Sequence, residues 1–353
     1  MSRVVAIAMS GGVDSSVAAA LLVEAGHEVF GLMLRLWSDP GAGPNRCCAP
    51  DDVARARVTA ANLGIPFYVL DAQDAFREEV VEPFIHGYAQ GVTPNPCLNC
   101  NRHIRWGFLL DNALAMGATH LATGHYARTE AIDGRWRLLR ALDREKDQSY
   151  VLSVLDQHHL AHALFPLGNM RKQDVRSMAK ERRLPAMDRH DSQDLCFLGG
   201  ADYRDFLSGR IAEAHRPGPV LDLQGRTIGL HGGLIEYTVG QRKGLRISAS
   251  VPLYVLEKQP ETNALIVGPR AALGKPEFTV RDLHWVGDRP TPAERGLTVQ
   301  VRYRSRELPA TIQWLEGSRA LVRIPEGLAE ITPGQAAVFY RGEECLGGGI
   351  IDR

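Results

Sequence analysis

Val4-Val5-Ala6-Ile7-Ala8-Met9-Ser10-Gly11-Gly12-Val13-Asp14-Ser15-Ser16 runs from a short apolar strand through a Gly-Gly turn into a helix, whose apolar positions continue at Val17, Ala18, Leu21 and Leu22. Gly11 and Gly12 lack a Cβ, so the backbone can turn tightly and come close to a ligand. The helix that follows starts with unpaired N–H groups and the positive end of its dipole. Ser10, Ser15 and Ser16 add hydroxyls, and together these groups form a cradle for a phosphate or pyrophosphate. No Lys-Ser/Thr pair closes the loop, so it is not the Walker pattern. It suits the pyrophosphate that leaves when ATP adenylates a substrate. An ordinary strand–turn–helix corner explains the Gly-Gly turn alone, and Asp14 is then only a first-turn acid that favours the helix dipole.

Outward from this loop the chain alternates strand and helix. Strands fit Val4–Met9, Glu28–Leu34, Phe67–Asp71 and His120–Gly124; helices fit Val13–Ala25, Asp51–Leu63, Ala75–Gln90 and Ile104–Met116. That alternation predicts an α/β fold with a parallel sheet covered on both faces. Ligands of such sheets bind beyond the carboxyl ends of the strands, where the Ser-Gly-Gly loop and Gly124-His125 both fall. Asp39 to Pro50 reads as a loop, and Arg128 to Leu142 as a hairpin around Asp133-Gly134. Helical patterns continue to about Leu184. Beyond Arg216-Pro217-Gly218-Pro219 strands dominate, at Ile235–Val239, Leu253–Glu257, Ala264–Val267, Phe278–Trp285, Leu297–Arg304, Ala310–Trp314, Arg319–Arg323 and Ala336–Tyr340. Short turns separate them, as in a small β-barrel or sandwich. The expected domains are 1–205, a small linking domain at 206–273 and a β-domain at 274–353.

With 353 residues, 44% hydrophobic and 23% charged, the chain has the composition of a soluble globular protein of two or three domains. Its apolar runs are too short to span a bilayer. A basic region leading into an apolar segment and cleavage site is missing from the N-terminus, so no secretory signal and no membrane association are expected. Six cysteines (47, 48, 97, 100, 196 and 345) are too few and too irregular for a disulfide framework, which points to a reducing, cytoplasmic compartment. The formal net charge of zero argues against a globally electrostatic nucleic-acid binder, although basic clusters occur at Arg171–Arg189, Arg242-Lys243 and Arg302–Arg306. A solvated helix face explains each cluster about as well as RNA does.

Cys97 and Cys100 lie in Thr93-Pro94-Asn95-Pro96-Cys97-Leu98-Asn99-Cys100-Asn101. The prolines stiffen an extended approach, and Asn99 or Asn101 is placed to cap the following helix. Cys100 near that helix start would have its thiolate enriched by the dipole, a fitting environment for a nucleophile. Cys196 stands far away in Asp191-Ser192-Gln193-Asp194-Leu195-Cys196-Phe197-Leu198-Gly199, so any meeting of the two must come from the fold. Core packing explains Cys345, and structural or accessory roles suit Cys47 and Cys48. Half a zinc site is a further reading of Cys97 and Cys100, with Cys47 or Cys48 as partners.

The motifs Ser10–Ser16, Thr93–Asn101, Gly124-His125-Tyr126-Ala127-Arg128, Lys146-Asp147-Gln148-Ser149-Tyr150, Asp191–Gly199, Gly240-Gln241-Arg242-Lys243-Gly244 and Val301-Arg302-Tyr303-Arg304 occur in this order. The first resembles the PP-loop of ATP pyrophosphatases. The whole set, spread over essentially the entire chain, resembles the bacterial tRNA-specific 2-thiouridylase family (MnmA/TrmU). The resemblance implies a Rossmann-like PP-loop domain (adenine nucleotide alpha hydrolase-like), a linking domain and a C-terminal β-barrel that binds tRNA. It implies that ATP with Mg²⁺ adenylates the C2 oxygen of the wobble uridine in tRNAs for Lys, Glu and Gln. Sulfur delivered by an upstream persulfide donor, a cysteine desulfurase or sulfur carrier, then replaces that oxygen.

By family position Cys196 would carry the persulfide and Cys100 would assist sulfur release, with a transient Cys100–Cys196 disulfide closing the cycle. The same resemblance assigns Ala8, Met9, Ser10, Gly11, Gly12, Val13, Asp14, Ser15, Leu34 and Gly124 to ATP. It assigns Asn95, Pro96 and Cys97 to the target base, and His125, Lys146, Asp147, Gln148, Arg302, Tyr303 and Gln335 to tRNA. The base must leave the anticodon stack to reach the site, and Gly199-Gly200 offers a hinge for the Cys196 segment.

One departure is chemical: many members carry an Asp where this chain has Cys97, and a thiol transfers protons less readily at its usual pKa. Cys97, Cys100 and Cys196 also make a trio suited to an iron–sulfur cluster with an open position, the alternative route for sulfur. In Leu297–Arg304, strand alternation would put Thr298, Gln300, Arg302 and Arg304 on one polar face, a phosphate-gripping surface or merely the outside of a barrel. Two other functions compete: a small-molecule adenylating synthetase, which needs neither cysteine, and a metal–RNA binding protein, which turns over no ATP.

Overall fold

The computed structural model describes residues 2–37, 49–189, 195–292, 294–328 and 331–352. Cys47, Cys48, nearly all of the Gly/Pro-rich loop from Asp39, and Asp191 to Asp194 lie outside the described residues.

Five parallel strands form the first sheet, in the order Phe67–Asp71, Glu28–Arg35, Val4–Ala8, His120–Ala122, Ala163–Leu164. The two-residue alternation of the first strand sorts its side chains between two cores. Val5 and Ile7 pack with Val17, Ala18 and Ala19 of helix Val13–Glu24 and with Val175 and Ala179 of helix Lys172–Glu181. Ala6 and Ala8 face the other way, onto Trp106, Leu109 and Leu110. The helix there is longer than its periodicity suggests. It starts at Pro96–Asn99, widens to π-helix over Cys100–Phe108 and returns to α-helix at Leu109–Ala115. Wide turns of this kind recur at functional sites.

The second sheet has four strands, in the order Leu253–Gln259, Ala264–Pro269, Gly218–Leu221, Thr227–His231. Ile235–Val239, expected as a strand, is instead a 3₁₀ turn at Leu234–Glu236 followed by an irregular stretch. Ile235 and Tyr237 are buried there all the same, so apolar spacing reported burial and not strand geometry.

The third sheet orders its C-terminal strands as Leu308–Pro309, Leu297–Gln300, Ala336–Arg341, Glu344–Ile351, Lys275–Trp285, Ala320–Leu328, Thr311–Trp314. Its two ends are joined through the single residue Ala310, so the sheet curls into a nearly closed barrel around Val299, Val322, Ile324 and Phe339. The strand expected over Leu297–Arg304 stops at Gln300; Arg302–Ser305 form a turn, closed by the Ser305 N–H to the Arg302 carbonyl at 3.0 Å.

The hairpin Ala127–Ile132/Arg135–Arg140 joins this sheet, pairing Leu138 with Cys345 and Leu139 with Glu344. Leu138, Tyr340 and Cys345 share one core with Trp106 and Tyr150. The barrel is therefore fused to the carboxyl-end side of the first domain, where the site lies.

Candidate active site

Gly11 sits at φ +67°, and a Cβ there would lie 2.5 Å from the Asp52 carbonyl oxygen. Only glycine allows both the turn and this approach. Gly12 caps helix Val13–Glu24 in an extended conformation and has no side chain to engage the first-turn N–H groups, which stay available to an anion. The hydroxyls shape the loop from within: the Ser10 N–H donates to Ser15 Oγ at 3.2 Å and Ser16 Oγ donates to the Gly12 carbonyl at 2.8 Å. Gly124 backs onto the same helix start, where a Cβ would fall 2.9 Å from the Ser15 nitrogen.

Two carboxylates with cationic partners brace the loop. Buried Asp52 receives Arg55 and Arg189, the latter through Nη2 at 3.0 Å, and Arg189 Nη1 also reaches the Gly11 carbonyl at 3.4 Å. Lys172 Nζ donates to both oxygens of Asp14, at 2.7 and 2.8 Å, and the Tyr126 hydroxyl donates to the same carboxylate at 2.9 Å.

Two adjoining cavities open at the carboxyl edge of the sheet. The smaller, about 210 Å³, is lined by Ala8, Met9, Ser10, Asp14, Ser15, Leu34 and Gly124, with apolar walls from Leu32 and Met33 and with Cys100 and His125 at its side. The larger, about 680 Å³, shares Ser10, Asp14, Ser15, Cys100, Arg105, His125 and Gln148 and adds Gly12, Val13, Asn95, Pro96, Cys97, Lys146, Cys196, Tyr303 and Gln335. Its described wall holds five cationic side chains, Arg105, Lys146, Lys172, Arg189 and Arg304, against one carboxylate, Asp14. Such a balance favours a polyanion.

Cys100 and Cys196, 96 positions apart in the sequence, face this one space and both pack against a cluster that includes Phe76, Phe84, Phe197 and Phe206. Cys196 opens the 3₁₀ turn Cys196–Leu198, followed by Gly199 and Gly200 at φ 62° and 97°. Cys97 is exposed at the cavity wall.

Several expectations are corrected. Asn95, not Asn99 or Asn101, caps the cysteine helix, its Oδ1 accepting from the Cys97 N–H at 3.1 Å. Asn99 donates to the Glu79 carbonyl and Asn101 to the Cys97 carbonyl. Cys100 thus stands a full turn inside the helix, where the dipole has largely faded. The Asp147 side chain turns away from both cavities. Its carboxylate accepts from Arg140 Nη1 at 2.9 Å, from Ser149 Oγ at 2.8 Å and from the Ala141 N–H at 2.9 Å, and both charged side chains are only 6% exposed. The Asp147 carboxylate thus holds Arg140 and the backbone at Ala141 in place.

Arg302 and Arg304 do not share a strand face, because the strand has ended; Gln300, expected on the polar face, is buried. The turn sends Tyr303 and Arg304 to the larger cavity, and Arg302 is not among the described residues lining it. Gly11 makes the turn of the loop, and its carbonyl accepts from Arg189 Nη1.

His125 Nδ1 meets Thr123 Oγ1 at 2.8 Å. Burial, with Arg105 nearby, pushes its pKa down to about 3, so it stands neutral at the cavity wall. Gln148 ties this wall together, accepting the Tyr126 N–H on its side chain and donating its own N–H to the Tyr126 carbonyl, both at 2.9 Å.

Lys172 and Arg189 escaped the sequence reading inside a basic run that looked like a solvated face. A signal was present for Lys172: it shares the i, i+3, i+7 stripe with Val175 and Ala179, all three buried. Arg189 lies beyond the helix and has no such periodic mark.

Fold and loop define a class: a HUP-type nucleotide-binding domain followed by two β-rich modules. Family models agree along the chain, with the tRNA methyl transferase HUP domain over residues 3–200, its PRC-barrel domain over 204–269 and an aminomethyltransferase β-barrel domain over 275–351. The tRNA-specific 2-thiouridylase MnmA of Chloroflexus aurantiacus is 50% identical over 99% of this chain and 98% of its own length, and that of Moorella thermoacetica is 45% identical over 98% of each. The chain belongs to the tRNA-specific 2-thiouridylase family, a family of tRNA-modifying sulfurtransferase enzymes. Among solved structures, the U34-tRNA thiolase NcsA of Methanococcus maripaludis with its [4Fe-4S] cluster is similar at 21% identity and a TM-score of 0.36, covering 60% of this chain and 68% of that one.

Proposed function

We propose that this protein is a tRNA-uridine 2-sulfurtransferase that activates the C2 oxygen of the wobble uridine with ATP and replaces it with persulfide sulfur, giving 2-thiouridine, AMP and pyrophosphate. One observation carries the reading: the phosphate loop, Cys100 and Cys196 line a single cavity with an excess of cations. A small-molecule synthetase would need the loop but not two thiols facing it, and a metal–RNA binding protein would need no pyrophosphate cradle.

The first half-reaction uses the smaller cavity for adenosine and the N-terminal turn of helix Val13–Glu24 for the phosphates. Arg189 and Lys172 offset the charge that develops on departing pyrophosphate. Asp14 is the one carboxylate on the described cavity walls. Mg²⁺ is commonly held by one or two carboxylates together with substrate phosphates, so Asp14 fits it. The ion supplies charge neutralisation on the triphosphate.

In the second half-reaction the terminal sulfur of a Cys196 persulfide attacks C2 of the adenylated uridine. The new C–S bond forms as the C2–O bond to AMP breaks. Cys100 thiolate takes the Cys196 sulfur, so the persulfide S–S bond breaks and a Cys100–Cys196 disulfide results. A thiol reductant restores both cysteines with two electrons. Neutral His125 at the wall offers hydrogen bonds without adding charge. The tRNAs for Lys, Glu and Gln are the proposed substrates, and a persulfide-bearing sulfur donor the proposed partner.

Cys97, Cys100 and Cys196 share the cavity, yet no group of three or more His, Cys, Asp or Glu side chains among the described residues is arranged to hold a metal ion. We take the relay as the proposed route because it needs only Cys100 and Cys196, whereas a cluster would engage Cys97 as well. Among the described residues no helix is long and apolar enough to cross a membrane.

The test incubates the protein with unmodified tRNA, ATP–Mg²⁺ and a persulfide donor and looks for 2-thiouridine by mass spectrometry. Cys196→Ser is expected to abolish thiolation while ATP binding survives. Full activity in that variant, or thiolation supported by free sulfide only in an iron-loaded form, would overturn the relay.

A further inference from the structure

Val92 to Asn95 has no regular secondary structure, yet it leads directly into the helix that bears Cys97 and Cys100. Both main-chain polar groups of Thr93 are engaged by the C-terminal barrel. Its N–H donates to the Pro333 carbonyl at 2.9 Å, and its carbonyl accepts from Gln335 Nε2 at 2.7 Å. Gly334 lies so close that a Cβ would fall 2.9 Å from the Thr93 nitrogen. This barrel segment is itself anchored to the last strand: the Gly334 N–H donates to the Ile351 carbonyl at 2.9 Å and the Ile351 N–H to the Gln335 carbonyl at 2.8 Å. Tyr150, only 1% exposed, adds a second tie through its hydroxyl to the Ala336 carbonyl at 3.0 Å.

We infer that Gln335 is a positioning residue for sulfur transfer: by holding Thr93 it fixes the start of the cysteine helix, and so the place of Cys100 relative to Cys196. The inference rests on the thiolation chemistry proposed above. The adjoining phosphate loop has its own braces, Asp52–Arg189 and Asp14–Lys172, neither of which involves this latch. Loss of the latch therefore acts on the second half-reaction and leaves nucleotide binding alone. The role differs from the RNA contact that family position implies for Gln335, because it operates before any RNA is bound.

The experiment uses the full-length protein. Gln335→Glu keeps the side-chain size but turns the donor into an oxygen facing the Thr93 carbonyl; Tyr150→Phe removes only the second tie. The alkylation rate of Cys100 by iodoacetamide is followed at the peptide level without RNA, beside ATP affinity and single-turnover thiolation at saturating tRNA. Gln335→Glu is expected to speed alkylation of Cys100, to leave ATP affinity unchanged and to slow thiolation by about tenfold or more, as small misplacements of reacting groups do. Tyr150→Phe moves both readouts in the same direction by less, and carries the test alone if Gln335→Glu does not fold. Unchanged Cys100 alkylation, with the defect confined to KM for tRNA, would overturn the inference. A wild-type protein that makes no 2-thiouridine while Cys100 alkylation still responds to Gln335→Glu would instead overturn the proposed reaction and leave the latch standing.

Discussion

Replacing Lys172 with Met removes the ammonium group that stands 2.7 Å from Asp14 on the wall of the larger cavity, in a residue 7% exposed. A unit charge about 4 Å from a phosphate oxygen is worth roughly 4 kcal/mol at an effective dielectric of about 20. Allowing for residual solvation of the open cavity, the loss in ATP binding is about 2–4 kcal/mol, or roughly 30- to 1,000-fold in affinity. Folding changes far less, because the Asp14 side chain is 34% exposed and solvent screens the pair. Two mechanisms would weaken binding. Lys172 attracts phosphate directly, and its loss leaves Asp14 facing the nucleotide as an unbalanced anion. The double variant with Asp14→Asn separates them, since direct attraction predicts only partial recovery. Equilibrium dialysis of ATP–Mg²⁺ and pyrophosphate release supply the readouts. An affinity for Lys172→Met within about twofold of the wild type would refute the assignment of Lys172 to the phosphate site, because such a change is worth only about 0.4 kcal/mol.

Gly11→Ala places a methyl group 2.5 Å from the Asp52 carbonyl at φ +67°; it should displace the loop and lower ATP affinity at least as much, whereas normal binding would contradict the loop geometry. Asp147→Asn leaves Arg140, 6% exposed, with an uncompensated share of buried charge and should destabilise the fold by about 2–4 kcal/mol in urea denaturation; an unchanged midpoint would return Asp147 to a surface role. Burial lowers the pKa of His125 to about 3 and of His120 to about 4. The unfolded chain therefore binds more protons than the folded one below about pH 6.5, and stability falls on acidification. From pH 6.5 to 5 the loss at His125 is about 1.6 kcal/mol, and His125→Asn should flatten that slope; an unaltered slope would show that His125 titrates normally.

The phosphate loop was legible because its chemistry is local. Ser10 to Ser16 contains the turn, the helix start and the hydroxyls, so no distant contact is needed to recognise it. The alternation of Val5 and Ile7 against Ala6 and Ala8 likewise announced a strand buried on both faces, and the carboxyl edge of that sheet located the site. What the sequence hid depends on distant partners. The hairpin at 127–140 reads correctly as a hairpin, but its attachment to Glu344-Cys345 is set across some 200 residues of chain. Asp147 sits in a polar motif that looks exposed, and only the approach of Arg140 buries it. Arg302 and Arg304 keep strand-like spacing in the sequence although the strand ends at Gln300, and the turn that follows, with φ 63° at Arg304, contains no glycine to mark it. The two-residue strand Ala163–Leu164 is too short to leave a period at all.

Sulfur loaded as a labelled persulfide on Cys196 and followed through one turnover tests the central claim most directly. With ATP–Mg²⁺ and unmodified tRNA, the label should pass from the protein into 2-thiouridine, one AMP per sulfur, leaving Cys100 and Cys196 joined. Label that stays on the protein while thiouridine still forms would show that the sulfur arrives by another route.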